Sequence, residues 1–179
     1  AGTSRSETPG WMDQNLTPVF EWLKELGADY CHYKVCSTFD SSPAVGSIGR
    51  AVEIGKKVFG QPYVPLVVGA PQLKRFTFFG HLFAGCQGEV HRIDRHPVMS
   101  RHPVTPMREA DLRRHLSEQT ALECGLIDTV MLQDADSAAK IEAIAASCQG
   151  ALLFDVADLA SQNSAGEAQE WSLEMGSPV

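Results

Sequence analysis

"YCHYKVCSTFDSSPAVGSIGRAVEIGKKVFGQPYVPLVVG", residues 30–69, is the stretch that decides the architecture. "YCHYKV", with the short apolar run His32 to Cys36, reads as a strand. It gives way to Ser37, Thr38, Asp40, Ser41 and Ser42. Pro43 suits the first turn of a helix running to about Phe59, with Gly60 past its end. "VPLVVG", residues 64–69, is an aliphatic strand of the kind found in parallel sheets covered on both faces. Strand, helix, strand implies a right-handed crossover.

The same alternation continues outward. "MDQNLTPVFEWLKEL", residues 12–26, places Leu16, Val19, Phe20, Leu23 and Leu26 at helical spacing, with Gly27 behind them. Pro18 either bends this helix or marks its start. "RFTFFGHLFA" and "GEVHRI" flank a glycine turn and predict a hairpin over 76–93. Residues 94–107, "DRHPVMSRHPVTPM", contain three prolines and two His-Pro pairs and read as a long loop. Glu109 to Thr120 reads as a helix, "IDTVML" as a strand, "DADSAAKIEAIAASC" as a helix and "ALLFDVA" as a strand. Strands near 30–36, 64–69, 126–132 and 151–156 are therefore expected in one mostly parallel sheet. Helices should cover both faces in a Rossmann-like three-layer α/β domain, with the hairpin as an excursion.

Composition narrows the function. At 179 residues, 44% hydrophobic and 21% charged, the chain has an ordinary globular balance. No apolar run approaches the roughly 18 residues of a membrane-spanning helix, and "AGTSRSETPG" lacks the regions of a signal peptide. A net charge of −7 argues against a nucleic-acid binder. Cys31, Cys36, Cys86, Cys124 and Cys148 form no CxxC pair and are expected as reduced, mostly buried thiols in a cytoplasmic protein. No P-loop, GxGxxG or GxSxG element occurs. His91, Asp94 and His96 lack a recognised metal-ligand spacing, so no metal site is expected. "AGTSRS" reads as the exit of a strand, and "MGSPV" stops where another should begin, so the chain is expected to be one lobe of a larger protein, cut at both ends.

Ligands of open parallel sheets bind beyond the carboxyl ends of the strands. Ser4 and Arg5 fall at one such exit; Ser37, Thr38 and Asp40 follow the next, with Lys34 just before them. Hydroxyls and a carboxylate there can hold a polyhydroxy ligand. The N–H groups of the following helix can hold an anion, with Gly46 and Gly49 easing close approach. Alternatively, Ser41 or Ser42 caps that helix. Arg101, His102 and Thr105 add a guanidinium suited to a carboxylate or phosphate, or else sit in a solvated loop.

"AGTSRS", "HYKVCSTFDSSPAVGSIGRAVEIG" and "DRHPVMSRHPVTPMREADLRRHL" resemble the N-terminal, sugar-binding domain of the four-carbon acid sugar kinase family. The resemblance covers nearly the whole chain. It implies a two-lobed enzyme that uses ATP, with Mg2+, to phosphorylate the terminal hydroxyl of threonate, erythronate or 3-oxo-tetronate. The sugar acid would sit in this lobe and the nucleotide in an absent C-terminal lobe, so no nucleotide is expected on this chain alone. The family's leading Asp-Asp-Phe-Thr-Gly strand end is also absent. By motif position, Ser4, Arg5, Lys34, Ser37, Thr38, Asp40, Arg101, His102 and Thr105 are the candidate substrate-binding residues, Asp40 as a partner for a sugar hydroxyl. The catalytic base is left unassigned and a homodimer is left open. The competing reading is a non-catalytic α/β module that binds a sugar acid or a protein partner.

Overall fold

The computed structural model describes residues 2–134 and 136–174, and of residues 168–174 the backbone alone. The expected strand start at "MGSPV" lies outside the described residues. Helix α1 (Pro9–Glu25) is followed by α2 (Ile48–Phe59) and strand β1 (Val64–Val67). Three antiparallel strands come next: β2 (Arg75–Phe78), β3 (His81–Cys86) and β4 (Glu89–Arg92). Then follow α3 (Leu112–Ser117), β5 (Cys124–Ile127), α4 (Thr129–Gln133), α5 (Ser137–Ser147), β6 (Ala151–Phe154) and α6 (Leu159–Glu174).

The central sheet is parallel, in the order β1-β6-β5. Ala151 of β6 pairs with Val64 on one side and Cys124 on the other; Phe154 pairs with Val67 and Ile127. All four β6 residues are buried, because both its faces are covered. Ala151 and Leu153 pack with Ile48 and Val52 of α2 and Leu112 and Leu116 of α3. Leu152 and Phe154 pack with Leu132 of α4, Ile141 and Ala145 of α5, and Ala165 of α6. The period of two sends alternate residues to opposite helix layers. The α/β reading with helices on both faces holds.

Three local expectations need correction, and a fourth gains a strand. Tyr30–Cys36 is extended, but among the described residues no strand pairs with it. Side chains hold it instead: the Tyr33 ring stands edge-on to Phe20 at 5.7 Å, and Val35 packs on the central core. A groove of about 760 Å³, lined by Tyr30, Val35, Val52, Val64 and Leu66, separates it from β1. "IDTVML" is not a strand past Ile127. The Asp128 carboxylate accepts the N–H groups of Val130 and Met131 and starts α4 there. The predicted hairpin is a three-stranded meander. It is tied to the central domain where Thr77 N–H donates to Val156 O at 2.8 Å and Val156 N–H returns to Thr77 Oγ1 at 2.7 Å. Finally, the helix expected from Pro43 begins at Ile48. Ser42 Oγ accepts the N–H groups of Ala44 and Val45 in a separate turn, and Ser47 is the N-cap.

Two smaller points follow. Thr8 caps α1, which runs straight through Pro18. That proline lies on the exposed face, so its missing N–H leaves a carbonyl near solvent rather than in the core. None of the cysteines is fully buried: Cys31 is exposed and the other four are half-buried, all as free thiols.

Candidate functional site

The site is built from three connections. The first is the turn after the extended run. Phe39 N–H donates to Cys36 O at 2.9 Å, and Phe39 adopts a left-handed φ of 53°. A phenylalanine tolerates that conformation poorly, so tertiary contacts hold it there. Its side chain is buried and faces the His115 ring at 6.1 Å. The turn presents Thr38 and Asp40 inward, and the Thr38 hydroxyl donates to Asp40 Oδ1 at 2.5 Å.

The second is the 3-10 turn Ser4–Ser6, which leads into α1. Ser4 Oγ is bonded to Tyr33 Oη at 2.8 Å, and Gly46 N–H donates to Glu7 O at 2.8 Å. Gly46 has φ 62°, and a Cβ added there would stand 2.3 Å from Arg5 O. The glycine therefore does not open a path for an anion; it lets the Arg5 backbone pass. Arg5 Nη2 donates to Asp40 Oδ2 at 2.8 Å, with 60% of the Arg5 side chain exposed and 1% of Asp40. The hydrogen bond and the carboxylate charge raise the Arg5 pKa. Burial pushes the Asp40 carboxyl up, but the Thr38 and Arg5 bonds and the Arg5 charge outweigh it, so its pKa lies below the ordinary value.

The third is the proline-rich loop, which is ordered by its histidines. "RHPV" occurs twice, at residues 95–98 and 101–104. In the first copy His96 Nδ1 accepts the N–H groups of Val98 and Met99; in the second His102 Nδ1 accepts the Thr105 N–H at 3.0 Å. Each imidazole caps the turn that its proline begins. Buried Met99 and Met107 pin the loop to the core. Thr105 Oγ1 then donates to Asp40 Oδ2 at 3.2 Å and lies 3.0 Å from His102 Nδ1.

Of the candidates, Arg5, Thr38, Asp40, His102 and Thr105 thus share one hydrogen-bonded network. Ser4 is buried against Tyr33 instead. Lys34 and Arg101 are exposed, Ser37 is half-buried, and among the described residues none of the three is hydrogen-bonded to the network. Both Asp40 oxygens already accept bonds, from Thr38, Arg5 and Thr105, and its side chain is buried. The α2 N-terminus is not open to an anion. Gln119 Oε1 accepts the N–H groups of Ile48 and Gly49, Ser47 Oγ accepts that of Arg50, and a Cβ at Gly49 would meet Gln119. Ser41 is not a cap but a link in the same wall, bonded to His115 Nε2 at 3.0 Å and to Gln119 Nε2 at 2.9 Å.

Sequence reasoning passed over Asp155, at the exit of β6. Its carboxylate is fully buried and accepts Gly80 N–H at 3.1 Å. Burial raises its pKa, partly opposed by the N–H groups of Gly80 and Phe79. The signal was an acid directly after the aliphatic run "ALLF". His91 and His96 meet ring to ring at 5.9 Å while Asp94 pairs with Arg92, and among the described residues no group of three or more His, Cys, Asp or Glu gathers as a metal site. No described helix is long and apolar enough to cross a membrane.

The fold and this network define an α/β domain of the parallel-sheet type whose polar residues meet around the Asp40 carboxylate. The chain belongs to the family of sugar-binding N-terminal domains, which matches it over residues 1–177. It is 53% identical to 3-oxo-isoapionate kinase of Paraburkholderia graminis over 88% of this chain and 34% of that protein. It is 35% identical to 3-oxo-tetronate kinase of Methylobacterium radiotolerans over 75% of this chain and 31% of that protein. A crystal structure of a Haemophilus influenzae protein superimposes with a TM-score of 0.78 at 26% identity, covering 92% of this chain and 39% of that one. The chain therefore spans about a third of the length of these curated relatives.

Proposed function

We propose that this domain is the sugar-acid-binding lobe of an ATP-dependent kinase that phosphorylates the terminal hydroxyl of a four-carbon acid sugar such as threonate, erythronate or 3-oxo-tetronate. The observation that carries the reading is Arg5, an exposed guanidinium held in place by a buried carboxylate. One N–H of the guanidinium is committed to Asp40, and the others face outward, suited to a carboxylate. The relatives named as sugar kinases support the same class.

The nucleotide belongs to a second lobe. Bound ATP with Mg2+ would supply the phosphoryl group, and the start of α2 offers it no phosphate cradle, since the first N–H groups of that helix are already taken by Gln119 and Ser47. This chain's part is to bind and orient the acceptor, which is much of what phosphoryl transfer asks of a protein. The free thiols suit a cytoplasmic setting.

The test is a phosphorylation assay on the full-length protein with the three acids. Arg5→Ala should raise the sugar-acid KM about tenfold or more, the worth of one charge-assisted hydrogen bond, and leave the KM for ATP near its parent value. Residues 1–179 alone should consume no ATP. Absence of phosphorylation of every acid sugar by the full-length protein would sink the reading.

A further inference from the structure

We propose that Arg5 and His102 form a donor-only receptor for the carboxylate end of the ligand, and that Asp40 is the positioning residue that holds both and touches no ligand. This rests on the sugar-acid reading above and adds which end of the ligand this edge receives.

Thr105 N–H points at His102 Nδ1 from 3.0 Å, so that nitrogen is an acceptor and the neutral ring carries its proton on Nε2. His102 Nε2 has no protein partner among the described residues, and the residue is half-buried rather than sealed. Arg5 can only donate. Both oxygens of the carboxylate between them are already used. Asp40 Oδ1 takes the Thr38 hydroxyl, and Asp40 Oδ2 takes both Arg5 and Thr105. What the network turns outward is N–H groups.

A surface of donors with no free acceptor selects an oxygen that carries negative charge, and it discriminates poorly among hydroxyls, which need to donate as well as accept. Asp40 links the two donors: Arg5 bonds to it directly, and Thr105, whose backbone N–H fixes His102, bonds through its hydroxyl to the same oxygen. Arg5 and His102 come from opposite ends of the chain and are registered by that one carboxylate. The hydroxyl that is phosphorylated then lies at the far end of the ligand.

Calorimetry on the full-length protein, comparing threonate with threitol, tests this. Threitol has the same carbon chain with CH2OH in place of the carboxylate. Threonate should bind at least tenfold more tightly, the value of a charge-assisted bond. His102→Ala should lose about tenfold in threonate affinity, while His102→Gln, whose amide replaces the Nε2–H donor, should keep most of it. Thr105→Val should weaken binding and Thr105→Ser restore it. Nitrogen-15 spectra of the parent should show the His102 proton on Nε2, a readout that does not depend on any variant folding. Equal binding of threitol, parent-like binding by His102→Ala, no binding of threonate or erythronate, or a proton on Nδ1 would each overturn the receptor. If threonate binds through Arg5 and His102 but no phosphoryl transfer occurs, the receptor stands and the kinase reading fails; phosphorylation of threitol as readily as threonate does the reverse.

Discussion

Thr105 Oγ1 donates to Asp40 Oδ2 at 3.2 Å across 65 positions of sequence. Through that bond the proline-rich loop and the turn after the extended run become one wall of the site. Arg5 arrives at the same carboxylate oxygen from a third segment. The stability of this junction and of its surroundings can be measured.

Acid should loosen it in a defined direction. Asp40 has a lowered folded-state pKa, so its contribution is present above the unfolded carboxyl value of 3.8 and is lost as the pH falls through the lower folded value. Several other carboxylates share this sign, including Asp94 and Asp111. The difference between parent and Asp40→Asn isolates the one group. Melting temperatures taken from pH 7 downward should show the parent's advantage shrinking below about pH 4; an advantage that does not change with pH counts against the ion pair.

Asp155 should behave in the opposite sense. Its folded pKa is raised, so its contribution is full below the unfolded value of 3.8 and is lost as the pH rises through the folded value. Asp155→Asn keeps an acceptor for Gly80 N–H and removes the charge. The variant should therefore gain on the parent as the pH climbs from 4 towards neutrality, read as the difference in urea midpoints.

Gly46→Ala should cost more than a left-handed glycine alone. At Gly60, with φ 71° and nothing within 4 Å of an added Cβ, alanine meets only backbone strain, about 1 kcal/mol. At Gly46 the same strain is joined by a Cβ 2.3 Å from Arg5 O. The loss should exceed that of Gly60→Ala by about 1–3 kcal/mol in urea denaturation. Equal losses would show that the Arg5 turn yields freely.

Gln119→Leu removes the acceptor for Ile48 and Gly49 at the start of α2. A lost cap costs about 0.5–2 kcal/mol. The side chain also donates to Ser41, so the value should fall at the upper end of that range. Denaturant midpoints against Gln133→Leu, at the far end of a short helix, provide the scale.

Much of this was legible in the chain. The aliphatic run "ALLF" marks the central strand because a strand covered on both faces has no reason to alternate in polarity, and "VPLV" marks its parallel neighbour β1. The Ser-Thr-Phe-Asp turn and the His-Pro pairs stood out because their density of polar and φ-restricting residues exceeds what a helix or strand requires. Boundaries were less legible. Asp128 and Ser42 redirect their own backbones through bonds two or three residues long, and these override β-branched neighbours such as Thr129 and Val130.

The sequence by itself determined the parallel α/β class, the segments dense in polar groups and the residue types available there. Only the tertiary structure decided what each does. Asp40 and Arg5 look alike in sequence as polar candidates, yet one side chain is 1% exposed and the other 60%. The physical reason is that burial and hydrogen-bond partnership are set by segments tens of residues away: Thr105 seals the carboxylate, Gly46 admits the Arg5 backbone and Gln119 closes the helix end. No local spacing encodes those meetings, because they exist only once the turns have been packed against one another.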